Sequence, residues 1–186
     1  MANPEHTPEM EGIDNLTVAW YRVGLTIFAI SIALHAIEEL VGVTLLGRWY
    51  LPIVGLAAAS ASANMHLYDP TFRWLVPMMS WVGFSVLLFV LTAEGTVREI
   101  GSLVGLGFFY AGMGMLAVKE SFCFKIWGLP MVPFLLAGAI ILRFVGIDFV
   151  SAILLALAAI LYLWMVIAKW RMPLHYDIGD KSAYRM

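Results

Sequence analysis

Between Leu16 and Trp170 the chain is almost unbroken apolar sequence, interrupted only by short clusters that carry nearly all of its charge. A fold built from such runs cannot be solvated by water alone. Its backbone polar groups must be satisfied internally while the bilayer acts as solvent. Composition agrees: 62% of residues are hydrophobic and 13% charged, roughly half the charged share of a soluble domain. The mean hydropathy is +0.88. The runs are long and lack the alternation of barrel strands. The fold class is therefore all-α, a polytopic membrane helical bundle.

A helix needs roughly 20 apolar residues to cross the hydrocarbon core, and six runs qualify as transmembrane helices: 18–37, 51–65, 74–91, 100–118, 126–142 and 147–168. The second is short and rich in Ala and Ser. The chain thus divides into an acidic tail (1–17), a six-helix transmembrane domain (18–168) and a polar tail (169–186). The first fifteen residues hold no Lys or Arg and no small-residue cleavage site, so the first run is expected to remain as a span. The formal charge of −2 and the absence of a basic stripe exclude nucleic acid as a partner. The lipid bilayer is the implied partner, with other membrane proteins as candidates. Cys123 is the sole cysteine, which excludes an intrachain disulfide.

Orientation follows from Lys and Arg in short loops. With six spans, Arg22, Arg73, Lys119, Lys125, Lys169, Arg171, Lys181 and Arg185 share one face, against Arg48, Arg98 and Arg143 on the other. That imbalance predicts a multi-pass protein with both termini in the cytoplasm, or in the equivalent stroma.

Three groups of residues are candidates for function. At the end of the first run, His35, Glu38 and Glu39 lie one turn apart on a helix. An imidazole and two carboxylates so placed could begin a metal site of the kind built in helical bundles. His66 falls on the opposite membrane face, so further ligands would have to come from Glu94, Glu99 or Asp148. The plainer reading is a solvated or salt-bridged helix end with Arg48 or Arg98 as partner, and no metal is assigned. On the other face, His66, Glu120 and Cys123 form a second cluster, with Lys119, Lys125, Asp69 and His175 nearby. A reactive cysteine needs a base or positive charge beside it. Phe122 and Phe124 favour instead a loop pinned by aromatics.

The third group is made of small residues. Gly55, Ala59 and Ala63, and Gly101, Gly105 and Gly112, form faces suited to close helix packing in lipid, within the monomer or against a partner. Pro77, Pro130 and Pro133 read as first-turn prolines, and Asp148 as an N-cap. No polar residue is expected deep in a span with an identifiable partner, and no cofactor is implied.

The stretch Ala117-Val118-Lys119-Glu120-Ser121-Phe122-Cys123-Phe124 and the tail Asp177-Ile178-Gly179-Asp180-Lys181-Ser182 resemble an integral membrane family, Domain of Unknown Function 2301. The resemblance implies a thylakoid or plasma membrane setting beside photosynthetic complexes, and brings no catalytic residues. Abundant packing motifs without a catalytic signature point to an accessory, assembly or interaction factor acting without catalysis. The rival classes are a membrane-embedded metal-site enzyme and a small-solute transporter; a deep polar cavity would separate them.

Overall fold

The polar punctuation between the apolar runs becomes the helix ends. The structure, a computed structural model, describes residues 10–67 and 69–178. The first nine residues, Tyr68 and the tail from Gly179, with Lys181 and Arg185, lie outside the described residues. The helices are α1 (Gly12–Val41), α2 (Tyr50–Ala63), α3 (Pro70–Thr92), α4 (Gly95–Ser121), α5 (Val132–Phe144), α6 (Asp148–Trp170) and a final turn, α7 (His175–Ile178). No strand occurs among the described residues. A capping box of Glu11 and Asp14 opens α1, satisfying backbone donors that a helix start leaves unpaired. Gly42 closes it at φ 76°, donating its N–H to the Glu38 carbonyl at 2.9 Å. Asp69 caps α3, accepting from the Thr71 and Phe72 amides at 2.8 and 3.2 Å.

Two local readings change. Because α3 begins at Pro70, Pro77 sits in the helix interior rather than its first turn. Asp148 is the first residue of α6, not its cap; Ile147 holds that position and no side chain caps the helix. Pro130 falls in a 3-10 turn, Leu129–Met131, and Pro133 is the second residue of α5. Helix therefore starts later in that run than at Ile126.

Four helices (α1, α3, α4 and α6) are long and apolar enough to cross a membrane. At about 1.5 Å per residue, the 14 residues of α2 rise only about 21 Å. The chain around α2 nevertheless runs beside α1 from His35 to Thr17, about 27 Å at the helix rise. His35 stacks on Tyr50 at one end, with ring centroids 3.8 Å apart, and Thr17 meets His66 at 3.3 Å at the other.

Successive helices alternate in direction. Helices α1, α2, α4, α5 and α6 close a ring in which each packs on the next and α6 returns to α1, while α3 lies outside against α4 and α2. Gly24 lets α1 approach α2: a Cβ there would stand 2.6 Å from the Ala61 backbone nitrogen and 2.8 Å from the Ala57 carbonyl oxygen. Inside the ring, Phe28 packs edge-on against Tyr110 and Tyr162, and the Tyr162 hydroxyl donates to the Met113 carbonyl at 2.9 Å. This aromatic layer separates two polar ends.

Candidate functional site: a cavity and a buried ion network

At the carboxyl end of α1, the five residues from His35 to Glu39 take three separate tasks. Glu38 is buried. Its Oε1 accepts from the backbone amides of Leu45, Leu46 and Gly47, and its Oε2 meets His35 Nδ1 at 2.9 Å. The carboxylate thus gathers three backbone donors of the loop between α1 and α2 and fixes that loop against the end of α1. Glu39 pairs with Arg143, which also lies 3.4 Å from Asp148. Its partner is therefore Arg143 rather than Arg48 or Arg98, because α6 packs on α1 and the short turn at Gly146 joins the end of α5, with Arg143, to the start of α6. His35 Nε2 is 3.8 Å from Glu39. Glu94 precedes α4 as an exposed flanking residue, and Glu99 is exposed in its first turns. Among the described residues no three His, Cys, Asp or Glu side chains gather as a metal-holding group.

Beside these residues an open cleft of about 980 Å³ lies between the ring helices and α3. Its mouth is lined by His35, Glu39, Arg48, Arg98, Glu99 and Arg143, and its walls by Tyr50, Tyr110, Leu87, Leu106 and Leu155. The Tyr50 and Tyr110 hydroxyls hydrogen-bond each other. Arg48 and Arg98 are exposed, and among the described residues neither forms an ion pair with a carboxylate. A large cleft with apolar walls and a few convergent polar groups is the usual form of a small-molecule site. This cavity was invisible in the sequence, since its lining comes from all six long helices and only folding brings Arg143 to Glu39.

The amino end of α1 holds the second polar group, inside the protein. Arg22, Tyr21, Glu120, Lys169 and Asp177 are all buried. Glu120 accepts from the Tyr21 hydroxyl at 2.6 Å and from Lys169 Nζ at 2.5 Å, and Lys119 Nζ stands 3.2 Å away. Lys169 also pairs with Asp177. Arg22 donates from Nε to Asp177 at 2.7 Å, and from its terminal nitrogens to the Met172 and Pro173 carbonyls at 2.8 and 3.0 Å. Arg22, Lys169, Glu120 and Asp177 thus balance two positive charges against two negative ones, as burial requires. The expectation that no polar residue is deep and partnered fails here. So does the counting of Arg22 and Lys169 as loop charges. The available signal was each cation's place at the margin of an apolar run, which marks an ionisable residue worth pairing. The partners, Asp177 for Arg22 and Glu120 for Lys169, lie 155 and 49 residues away along the chain and could not be read from spacing.

Of the cluster His66, Glu120 and Cys123, the last two are neighbours at the end of α4, while the described partner of His66 is on α1. His66 meets Thr17, and Glu120 belongs to the ion network. Cys123 is exposed, its amide donating to the Glu120 carbonyl at 2.9 Å. Desolvation by nearby protein atoms, with the Glu120 carboxylate, raises the Cys123 thiol above its ordinary value. That direction leaves less of the nucleophilic thiolate at neutral pH. Of the small residues, Gly55 faces the Phe109 ring, Gly101 the Val90 side chain, Gly105 Val86 and Gly112 Met79. Ala59 and Ala63 line a separate groove of about 340 Å³ between α2 and α3, with Ser62, Pro77, Ser80, Trp81 and Phe84.

Folding also joins the two sequence stretches that carry the family resemblance: Glu120 lies in the first, Asp177 opens the second, and Lys169 pairs with both. The pattern of the family described as "Uncharacterized integral membrane protein (DUF2301)" matches residues 60–186. An uncharacterized protein of Haemophilus influenzae (strain KW20/Rd) is 31% identical over 194 residues, covering 100% of both chains. No solved structure matches. With its all-helical membrane bundle and a match over most of its length, this chain belongs to the DUF2301 family of integral membrane proteins.

Proposed function

We propose that this protein binds a small amphipathic anion in the cavity, without chemistry of its own. The observation that carries the reading is the cavity lining: three arginines against two glutamates at the mouth, above walls of leucine and tyrosine. The mouth favours a carboxylate or similar head, and the walls an apolar body. Guanidinium donors to an anion rank among the stronger hydrogen bonds.

A suitable probe is 1-naphthoate, with 1-naphthylmethylamine as the cation of matched shape. Fluorescence titration of protein in nanodiscs should show saturable binding of the acid and at least tenfold weaker binding of the amine. Arg48→Gln/Arg98→Gln should weaken naphthoate binding by about tenfold or more, since hydrogen bonds to charged groups contribute about 1.5–3 kcal/mol. Equal binding of both probes, or an unaffected double variant, would refute the reading.

We further propose six crossings, with both termini cytoplasmic and the cavity open to the opposite face. With Arg22 and Lys169 buried, the unburied cations among the described residues, Arg73, Lys119, Lys125 and Arg171 on the α7 side, stand four to three against Arg48, Arg98 and Arg143 on the cavity side, a narrow balance in favour of this orientation by the charge rule. In a Cys123→Ser background, Arg171→Cys should react with an impermeant thiol reagent only from the cytoplasm. Thr96→Cys should react only from the other side. Labelling of both from one face would remove a crossing from the count.

A second reading, an accessory or assembly role through a partner helix, is favoured by the groove beside Ala59 and Ala63, where small residues of α2 remain open between α2 and α3. Ala59→Leu fills that groove. It should change complex size or the co-purifying membrane proteins in mild detergent; unchanged migration of the well-inserted variant would count against a partner there.

A further inference from the structure

Among the groups lining the cleft, His35 carries the side chain that exchanges protons near neutrality, since imidazole changes charge between about pH 5 and 8. Its surroundings decide which nitrogen does so. Tyr50 stacks on the ring, with centroids 3.8 Å apart and planes 24° apart. Nδ1 meets Glu38 Oε2 at 2.9 Å. Glu38 is held as a carboxylate by three backbone amides on its other oxygen. A carboxylate only accepts, so Nδ1 carries the hydrogen of this contact and the lone pair of the neutral ring lies on Nε2. That nitrogen is 3.8 Å from Glu39 Oε1, beyond hydrogen-bond reach, while the other Glu39 oxygen holds Arg143. The His35 side chain is 22% exposed and forms part of the cleft lining. Nε2 is therefore an open proton acceptor at the mouth.

The charges around His35 give that acceptor a use. Arg48, Arg98 and Arg143 line the cleft against Glu39 and Glu99, but Arg143 is already engaged by Glu39 and by Asp148 at 3.4 Å. Glu38 adds a negative charge behind the imidazole, so three positive charges meet four negative ones. Tyr50 of α2 and Tyr110 of α4 contribute only neutral hydroxyls. An anion seated at Arg48 and Arg98 deepens the negative surplus by one charge, and one proton on His35 restores it. We propose that His35 Nε2 is a proton-binding site coupled to the anion site, so that the cleft takes a weak acid as its anion and one proton, held on separate groups. This rests on the anion reading above and names what accompanies the anion. The balance is simple: a solvent hydronium gives up its proton, one N–H bond forms on Nε2, and Glu38 and Glu39 flank the resulting imidazolium. Linkage fixes the sign: anion affinity is highest where His35 is already protonated and falls as pH rises, by at most about tenfold per pH unit for one proton.

The full-length protein in nanodiscs tests this with 1-naphthoate and 1-naphthalenesulfonate. Carboxylic acids lose their proton near pH 4 and sulfonic acids lower still, so both probes stay ionised over the range of about pH 6 to 8. The affinity of each should fall by about fivefold or more between about pH 6 and pH 8. Calorimetry of the wild type in two buffers of different ionisation enthalpy should show net proton uptake, up to about one per anion. His35→Gln, which can still donate to Glu38, should bind both probes more weakly than the wild type does at the lower pH, without pH dependence or proton uptake. If that variant does not insert, the wild-type calorimetry decides alone. Saturable binding with a flat pH profile and no proton uptake would overturn the coupling and leave the anion site standing. A pH dependence that persists in His35→Gln would place the proton on another group and overturn it as well. So would a dependence confined to naphthoate, which puts the proton on the ligand. No saturable binding of either anion at any pH sinks the anion site itself, and the coupling with it.

Discussion

Glu120→Gln should destabilise the protein by about 3–5 kcal/mol, the usual cost of removing one partner from a buried ion pair. The carboxylate is fully buried and receives Tyr21, Lys169 and Lys119. An amide in its place keeps the shape but removes the charge that balances Lys169, leaving Arg22 and Lys169 opposite Asp177 alone. For a chain of this size the loss corresponds to roughly 6–20 °C in thermal midpoint, measurable by intrinsic fluorescence in detergent. The informative control is Glu120→Gln/Lys169→Met, which removes a charge of each sign and leaves Arg22 with Asp177. It should recover most of the loss, because replacing a buried pair by apolar groups is often close to neutral. If the single variant melts with the wild type, the network contributes no net stability and its charges serve another purpose.

Gly24→Leu should be nearly as damaging, through sterics rather than charge. The added Cβ would meet Ala57 and Ala61 at backbone atoms, 2.6–2.8 Å away. Backbone cannot rotate aside as a side chain can. Overpacking a tight interior costs about 1–3 kcal/mol, and this site lies at the upper end because the obstacle is two helix backbones. The expected result is a lowered thermal midpoint and increased protease cleavage in the α1–α2 loop. Ala59→Leu is the counterpart. Its side chain points into the open groove between α2 and α3, so the melting temperature should hold within a few degrees. A pair of variants that melt alike would show that α1 and α2 can separate freely in lipid.

The membrane character of this protein was legible from residue order alone, because a long apolar run has one solvent that suits it. The helical class and the approximate run ends followed, since punctuation such as Asp69-Pro70 and Gly146 acts over one or two turns and needs no tertiary contact. Helix ends were read less well where a local cap, Glu11 with Asp14 or Asp69 before Pro70, starts a helix ahead of its apolar run. Thus α1 begins at Gly12, and α3 gains the turn that moves Pro77 into its interior.

The sequence also marked the right residue types at both polar ends, His35, Glu38 and Glu39 at one and Glu120 at the other, while leaving their tasks undecided. Local spacing shows which side chains share a helix face. It cannot show that Glu38 spends its carboxylate on three loop amides, or that Glu39 finds Arg143 from α5. Arg22 and Lys169 looked like interfacial charges because they sit near run ends. The return of the chain after Pro173 buries them, and the need to neutralise charge in a low-dielectric interior then dictates Glu120 and Asp177 as partners. Residue order determined the solvent and the helices of this protein. Charge pairing across about 50 to 150 residues of chain, and with it the cavity and the closed end, was decided only by how those helices pack.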